Sequence, residues 1–120
     1  MRAILVILSI CILSSCQDLG TEAKTSYVFI ILNAPDQTLT IMTLDGDTIV
    51  QGRRRYEPSW SVSYAEAFHL YEGRHTIVCK FPERNLSDTY SFEARDTCTV
   101  GIHVDSTVTF WFMKGIFGLE

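Results

Sequence analysis

The stretch 38-TLTIMTLDGDTIVQ-51 carries the clearest fold signal in the sequence. Its first half begins by alternating threonine with an apolar residue, which places Leu39 and Ile41 on one side. Asp45 and Gly46 interrupt this run, and a second β-branched run follows. An Asp-Gly pair between two such runs is the strongest short-range sign of a β-hairpin, because both residues tolerate the positive φ angles of a two-residue turn. The stretch therefore predicts two antiparallel strands joined at residues 45 and 46.

Similar short runs occupy most of the chain on both sides of this hairpin. Upstream, Tyr27–Asn33 is apolar on both faces, which predicts a strand at the centre of a sheet. Downstream, β-branched and alternating runs predict four more strands, at His75–Phe81, Thr89–Arg95, Cys98–Val104 and Thr107–Met113. No segment has a sustained apolar period of 3.6. Eight or nine short strands with turns between them predict an all-β fold, an antiparallel β-sandwich.

The segment from residue 52 to residue 75 has a weaker pattern. Gly52–Ser59 contains consecutive arginines and a proline and predicts a loop, and Trp60–Tyr64 predicts an irregular or edge strand. Ala65–Ala67 predicts a single helical turn. Gly73 fits the third position of a type II turn, which requires positive φ. A tight turn there would place Leu70 opposite His75 in a hairpin.

Length and charge limit the possible functions. The chain has 120 residues, enough for one domain with a modest core, and its formal net charge is −4. Nucleic-acid binding requires a basic face for the phosphates. The sequence therefore predicts no nucleic-acid partner.

The first 16 residues have the pattern of an export signal. Arg2 precedes an apolar run, Ala3–Leu13, of about 11 residues, whereas a transmembrane helix needs about 20. The run ends in Leu13-Ser14-Ser15-Cys16, so a small-residue cleavage site follows a short apolar segment, as in a secretory signal peptide. The segment could be an ordinary cleaved signal, an uncleaved anchor or a signal whose cleavage leaves a lipid-linked cysteine.

The order Leu13-Ser14-Ser15-Cys16 resembles the lipobox of bacterial lipoproteins. The resemblance implies that the Cys16 thiol takes up diacylglycerol, that cleavage follows Ser15, and that acyl chains such as palmitate hold the protein at a membrane of the bacterial cell envelope. It gives three segments: a signal peptide at residues 1–15, the acylated Cys and a polar tether at 16–26, and a β-sandwich at 27–120. It does not specify the membrane leaflet.

A second resemblance concerns the predicted hairpin around Gly73. The spacing Leu70-x-x-Gly73-x-His75-x-Ile77 resembles the hairpin of PEGA-type and other transthyretin-like modules, with Glu72 where those often have proline. It implies a transthyretin-like sandwich, with an immunoglobulin-like sandwich as the alternative. The same fold serves many functions, so the resemblance indicates none.

One cluster of residues predicts a binding surface. Arg53, Arg54 and Arg55 are followed by Tyr56 and Trp60, which combines positive charge with aromatic rings. Such a loop could bind anionic lipid headgroups, acidic glycans or an acidic partner protein. The alternative is a solvated loop without a ligand.

The histidines do not predict a metal site or a catalytic centre. His69, His75 and His103 lack the His-x-His and His-Glu-x-x-His spacings of zinc sites. No Gly-x-Ser-x-Gly nucleophile motif occurs. We expect no metal, no cofactor and no catalytic residue.

Cys79 and Cys98 are the two remaining thiols of the mature chain. An exported protein enters an oxidising compartment, which favours a disulfide between them. A meander of the strands at 75–81, 89–95 and 98–104 would instead separate them by about 15 Å at about 3.3 Å per residue. A disulfide needs Cα atoms within about 7 Å. The sequence leaves both outcomes open.

Together these patterns predict a membrane-anchored envelope lipoprotein with a non-catalytic binding, adaptor or structural role, whose partner is an envelope protein or a glycan. The alternative is an accessory binder of a small molecule or glycan that uses the Arg53–Trp60 loop.

Overall fold

The computed structural model describes residues 24–115, and these form two four-stranded β-sheets packed face to face. The prediction of an all-β sandwich is confirmed. The strands are β1 (Thr25–Asn33), β2 (Thr38–Leu44), β3 (Asp47–Arg54), β4 (Tyr64–Tyr71), β5 (Gly73–Phe81), β6 (Leu86–Ala94), β7 (Cys98–Val104) and β8 (Val108–Lys114), with a short 3-10 helix at Pro82–Arg84.

The order of the strands distinguishes this sandwich from an immunoglobulin sandwich. One sheet has the order β4-β1-β7-β8 and the other β3-β2-β5-β6. Strands β1 and β7 are parallel, and the other neighbouring strands are antiparallel. In an immunoglobulin sandwich the first two strands share a sheet, whereas β1 and β2 lie in opposite sheets here. The immunoglobulin-like arrangement expected as the alternative therefore does not form.

The β2–β3 hairpin forms at the predicted Asp-Gly turn. Asp45 has φ 51° and Gly46 has φ 89°, so both lie in the left-handed region that this turn requires. The turn is also tied to β5, because the backbone of Thr76 accepts a hydrogen bond from the Asp45 amide at 2.8 Å and donates one to the Asp45 carboxylate at 2.8 Å. The hairpin is therefore fixed to the sheet as well as to itself.

Alternate residues of the central strands form the core between the sheets. The sheet that contains β1 contributes Val28, Ile30, Leu32, Cys98, Val100 and Ile102, and the other sheet contributes Met42, Ile77, Cys79 and Phe81. In β7 the inward side chains lie at every second position, at Cys98, Val100 and Ile102. At the β6–β8 side, the rings of Tyr90 and Phe110 stack with centroids 4.9 Å apart and bridge the two sheets.

The predicted hairpin around Gly73 is wrong. Strand β4 pairs with β1, from Thr25 opposite Tyr71 to Leu32 opposite Tyr64, while β5 pairs with β2 and β6. The chain passes from one sheet to the other at Gly73, whose φ is 130°. Gly73 therefore marks a sharp change of chain direction, as expected, but the chain turns from one sheet to the other and does not form a hairpin within one sheet.

The helical turn predicted at Ala65–Ala67 is also wrong. These residues are extended and pair with Phe29–Ile31 of β1. The helix propensity of Ala-Glu-Ala is overridden because β1 has an open edge that β4 completes. The predicted loop at 52–59 begins later than expected, since β3 continues through Arg54 by pairing with Thr38.

The predicted meander of three consecutive strands does not form. Strands β5 and β6 are neighbours, but β7 crosses to the opposite sheet and pairs with β1. Two buried apolar faces must cover each other in a sandwich, and this crossing allows it.

The first strand begins at Thr25, two residues inside the predicted tether at 16–26, because Thr25 and Ser26 pair with β4. The predicted signal peptide at 1–15 and Cys16 lie outside the described residues. Within residues 24–115, no helix has the length and apolar character needed to cross a bilayer.

Candidate functional site

The predicted Arg53–Trp60 cluster is divided in the structure. Arg53 lies at the end of β3, where its Nη1 donates hydrogen bonds to Glu83 Oε1 at 2.7 Å and to the Gln37 carbonyl at 3.0 Å, and its Nη2 pairs with the second Glu83 oxygen. Hydrogen bonding and charge attraction raise the pKa of Arg53, and the same hydrogen bond lowers the pKa of Glu83. This guanidinium is therefore engaged by a local carboxylate.

Arg54 has a packing role on the other side of the strand. Its guanidinium carbon lies 5.2 Å from the centroid of the Tyr64 ring, and its Nε donates to the Ser63 carbonyl at 3.4 Å. Burial and a 2.7 Å hydrogen bond to Glu66 raise the pKa of the Tyr64 hydroxyl. Arg55 is exposed. The three arginines thus have different surroundings, and the structure does not bring them together as one cationic site.

The loop that connects β3 to β4, residues 55–63, is fixed to the end of β1. Ser63 donates its backbone N–H to the Leu32 carbonyl at 2.7 Å. The Ser63 hydroxyl donates to the Ala34 carbonyl at 2.7 Å and accepts from the Ala34 amide at 3.0 Å. The Tyr56 amide donates to Asp36 Oδ1 at 2.8 Å. These contacts hold both ends of the loop against the β1–β2 connection.

A tight turn within this loop presents Trp60 to solvent. Glu57 and Val62 exchange backbone hydrogen bonds of 2.8 and 3.4 Å, where the sequence predicted an irregular or edge strand starting at residue 60. The Trp60 amide donates to the Glu57 carbonyl at 3.2 Å, and Ser61 has a left-handed φ of 55°. The Trp60 side chain is nevertheless 75% exposed. A defined turn therefore presents a large apolar ring on the surface.

Trp60 lines a groove on the outer face of the sheet that contains β1. The groove, called the aromatic groove below, has a volume of about 270 Å³ and is lined by Ile31, Asn33, Trp60, Ser61, Val62, Ile102, His103 and Trp111. Its residues come from β1, β7, β8 and the Trp60 turn. These lining residues include no lysine, arginine, aspartate or glutamate.

The indole of Trp111 lies flat against Gly101, its cross-strand partner. A Cβ placed on Gly101 would be 1.8 Å from Cε2 and 2.1 Å from Cζ2 of Trp111. Only glycine permits this close approach, which positions the indole along the sheet. The sequence offered one signal of this contact: a glycine inside a strand.

A second depression adjoins the aromatic groove and shares Asn33 and His103 with it. Tyr56, Asp36 and Asp105 also line this depression, whose volume is about 280 Å³. The aromatic half of the predicted cluster, Tyr56 and Trp60, thus lies beside these two adjoining depressions. Sequence reasoning did not assign Asn33, His103 or Trp111 to a site, because strands distant in the sequence bring them together.

The other two histidines occupy opposite sheets. His69 stacks on the Tyr27 ring with centroids 4.6 Å apart. His75 is mostly buried, with Nδ1 2.5 Å from Asp45 Oδ2 and Nε2 2.6 Å from the Tyr71 carbonyl. Burial lowers the pKa of His75, but the hydrogen bonds to Asp45 and Tyr71 outweigh it and raise the pKa overall. Among residues 24–115, no group of three or more His, Cys, Asp or Glu side chains could hold a metal ion.

Cys79 and Cys98 are buried free thiols in opposite sheets, on β5 and β7. Burial, with a contribution from the Asp88 charge, raises the pKa of Cys79 to about 12. Burial also raises the pKa of Cys98. A thiol that is buried and protonated is a poor nucleophile, so both side chains act as small apolar residues of the core.

Comparison of the sequence with protein-family models and with curated proteins gave no match.

Proposed function

We propose that this chain is a bacterial lipoprotein, held in the cell envelope by acyl chains on Cys16, with a β-sandwich that has a non-catalytic binding, adaptor or structural role. One observation carries the proposal: the order Leu13-Ser14-Ser15-Cys16 at the end of the apolar run Ala3–Leu13. Each buried methylene of an acyl chain contributes about 0.8 kcal/mol, and two or more chains give a lasting anchor.

The position of the first strand supports a role close to the membrane. Strand β1 begins at Thr25, so eight residues separate it from Cys16. Eight residues span at most about 29 Å when fully extended. A partner of the sandwich would therefore lie in the same membrane or within a few tens of Å of its surface.

The surroundings of the perturbed groups support a role without catalysis. The raised pKa of Tyr64 follows from its burial and its contact with Glu66, and that of Cys79 follows from its burial in the core. His75 is held by Asp45 and a backbone carbonyl between strands. Each of these groups thus has a structural explanation, whereas catalytic groups usually combine a perturbed pKa with access to a cleft.

The mass of the protein purified from bacterial membranes tests the proposal. We expect a chain that begins at Cys16 and carries a diacylglyceryl group, with one or more further acyl groups. An ordinary cleaved signal or an uncleaved anchor would give a chain without lipid on Cys16. A purified chain without this lipid mass would therefore contradict the proposal. The variant Cys79→Ser should keep the lipid mass and serves as a control for the choice of thiol.

A second candidate function is an accessory small-molecule or glycan binder that uses the Arg53–Trp60 loop. The observation that favours it is Trp60, a 75% exposed indole on a turn held by backbone hydrogen bonds. Tryptophan is enriched among the residues that contribute most to binding at interfaces, and this ring lines a groove on the protein surface. Affinity capture from envelope membranes, with wild type and Trp60→Ala compared, distinguishes a protein partner from a soluble ligand.

A further inference from the structure

The aromatic groove combines two indoles that different parts of the chain hold in place. Trp60 is fixed by the turn that Glu57 and Val62 close, and Trp111 is fixed by its contact with Gly101. Neither ring needs a large rearrangement to accept a ligand, so little ordering cost is expected on binding. This preorganisation distinguishes the groove from a single exposed aromatic side chain.

The lining of the groove indicates the chemistry of its ligand. Asn33 and His103 provide an amide and an imidazole, which donate and accept hydrogen bonds, next to the two indole rings. Charged side chains do not line the aromatic groove, which disfavours a ligand that depends on an ion pair. Aromatic faces carry partial negative charge and attract the weakly positive C–H groups of a saturated ring. A sugar ring presents such a C–H face together with hydroxyl groups for the amide and the imidazole.

The size and the surroundings of the groove indicate more than one sugar unit. Drug-sized ligands occupy pockets of about 300–1,000 Å³, and the aromatic groove, at about 270 Å³, is smaller. The adjoining depression of about 280 Å³ shares Asn33 and His103 and adds Tyr56. Its Asp36 and Asp105 carboxylates can accept hydrogen bonds from hydroxyl groups and repel an acidic sugar.

We propose that the aromatic groove binds a neutral oligosaccharide, with one sugar ring against Trp60 and Trp111 and the next ring against Tyr56. Asn33 and His103 lie between these two positions and hydrogen-bond to hydroxyl groups of both rings. This inference rests on the second candidate function and names its site and ligand class. It also changes the residues involved, since Tyr56 and Trp60 of the predicted cluster contribute and the arginines do not.

The test is a calorimetric titration of the full acylated chain in a zwitterionic detergent that contains no sugar. The probes are maltotriose, cellotriose, mannotriose and tri-N-acetylchitotriose, with trigalacturonic acid as the charged comparison. We expect at least one neutral trisaccharide to bind with a Kd between about 10 μM and 1 mM, and trigalacturonic acid to bind at least about tenfold more weakly.

Two variants determine whether binding occurs in the groove. Trp60→Ala removes a solvent-exposed ring and should weaken binding by about tenfold or more without unfolding the sandwich. Arg53→Ala is the matched control, because Arg53 lies on the same segment but contacts Glu83, and it should leave the Kd unchanged. Circular dichroism of each variant checks that the fold is retained.

Three results would overturn the proposal: no neutral trisaccharide binding below about 10 mM, binding that Trp60→Ala leaves intact, or a preference for the acidic probe. Capture of an envelope protein that depends on Trp60, without any sugar binding, would assign the groove to a protein partner and would also overturn it. Lipid attachment at Cys16, measured on the same preparation, is independent of these outcomes. The experiments can therefore support lipid attachment and contradict the glycan site, or support the glycan site and contradict lipid attachment.

Discussion

Replacing Gly101 by alanine should destabilise the sandwich, although this substitution in a strand ordinarily stabilises a protein. Glycine in a strand interior costs about 0.5–1 kcal/mol relative to alanine, because its backbone loses more freedom on folding. Here the added Cβ would lie 1.8 Å from Trp111 Cε2 and 2.3 Å from Nε1. The indole must therefore leave the surface of Gly101.

The magnitude follows from the area that the indole would expose. A tryptophan side chain buries about 150–250 Å², and losing the contact on one of its two faces returns about half of this area to water. At about 25 cal/mol per Å², the loss is about 2–3 kcal/mol. The ordinary gain from alanine offsets part of it, and we expect a net loss of about 1–2 kcal/mol. For a domain of this size, the melting temperature should fall by about 5–10 °C.

Thermal and urea unfolding, followed by far-ultraviolet circular dichroism, measure this effect. The matched experiment is a double-mutant cycle with Trp111→Ala, in which Gly101→Ala should become neutral or stabilising because the clash is gone. The same displacement of the indole should weaken binding of a neutral trisaccharide. If Gly101→Ala raised the melting temperature in the wild-type background, the inferred contact and its energy would be wrong.

Other contacts give predictions of different kinds. The pKa of His75 is raised in the folded state, so the contribution of this side chain to stability is complete below pH 6.5 and is lost as the pH rises through the folded pKa. Urea unfolding between about pH 5 and pH 9 measures this pH dependence, and Asp45→Asn should flatten it. An unchanged pH profile in that variant would show that the ion pair does not contribute. The thiols of Cys79 and Cys98 should resist a thiol reagent in the native protein and react after denaturation, because burial raises the pKa of both; rapid native labelling would contradict the buried positions. Arg53→Ser should leave oligosaccharide binding unchanged, since Glu83 already engages this side chain, and calorimetry that found a tenfold loss would return the arginines to the site.

Local sequence signals predicted those parts of the fold that depend on neighbouring residues. The Asp45-Gly46 turn requires positive φ at both residues, and this chemistry is visible in two letters of sequence. The alternation of Cys98, Val100 and Ile102 fixed the inward face of β7, because side chains on a strand have a period of two. These signals determine strands, turns and faces.

The same signals could not predict which strands become neighbours. A glycine with positive φ serves a turn within one sheet and a crossing between two sheets equally well, so Gly73 did not reveal that β4 and β5 separate. Ala65–Ala67 has helical propensity, and its extended conformation depends on a partner, β1, that lies more than 30 residues earlier. Pairing over such distances depends on how the whole sheet is buried. A stretch of about ten residues does not carry that information.

For the same reason, the sequence predicted only part of the candidate site. Trp60 and Tyr56 stood out as aromatic residues in a loop, and both line the two depressions. Arg53 was grouped with these aromatic residues because its partner, Glu83, lies 30 residues away in the sequence. His103 and Trp111 lie on strands whose neighbours the sequence does not reveal. The pairing of β7 with β1 and β8 brings both residues close to Asn33 and the Trp60 turn.

Metabolic labelling with a clickable fatty acid tests the central proposal, lipid attachment at Cys16, most directly. Wild type, Cys16→Ser and the control Cys11→Ser would be expressed in the same bacterial host and purified from membranes. The proposal predicts strong labelling of wild type and Cys11→Ser and no labelling of Cys16→Ser, because only Cys16 follows the Leu-Ser-Ser sequence. Equal labelling of wild type and Cys16→Ser, or no labelling of either, would contradict it.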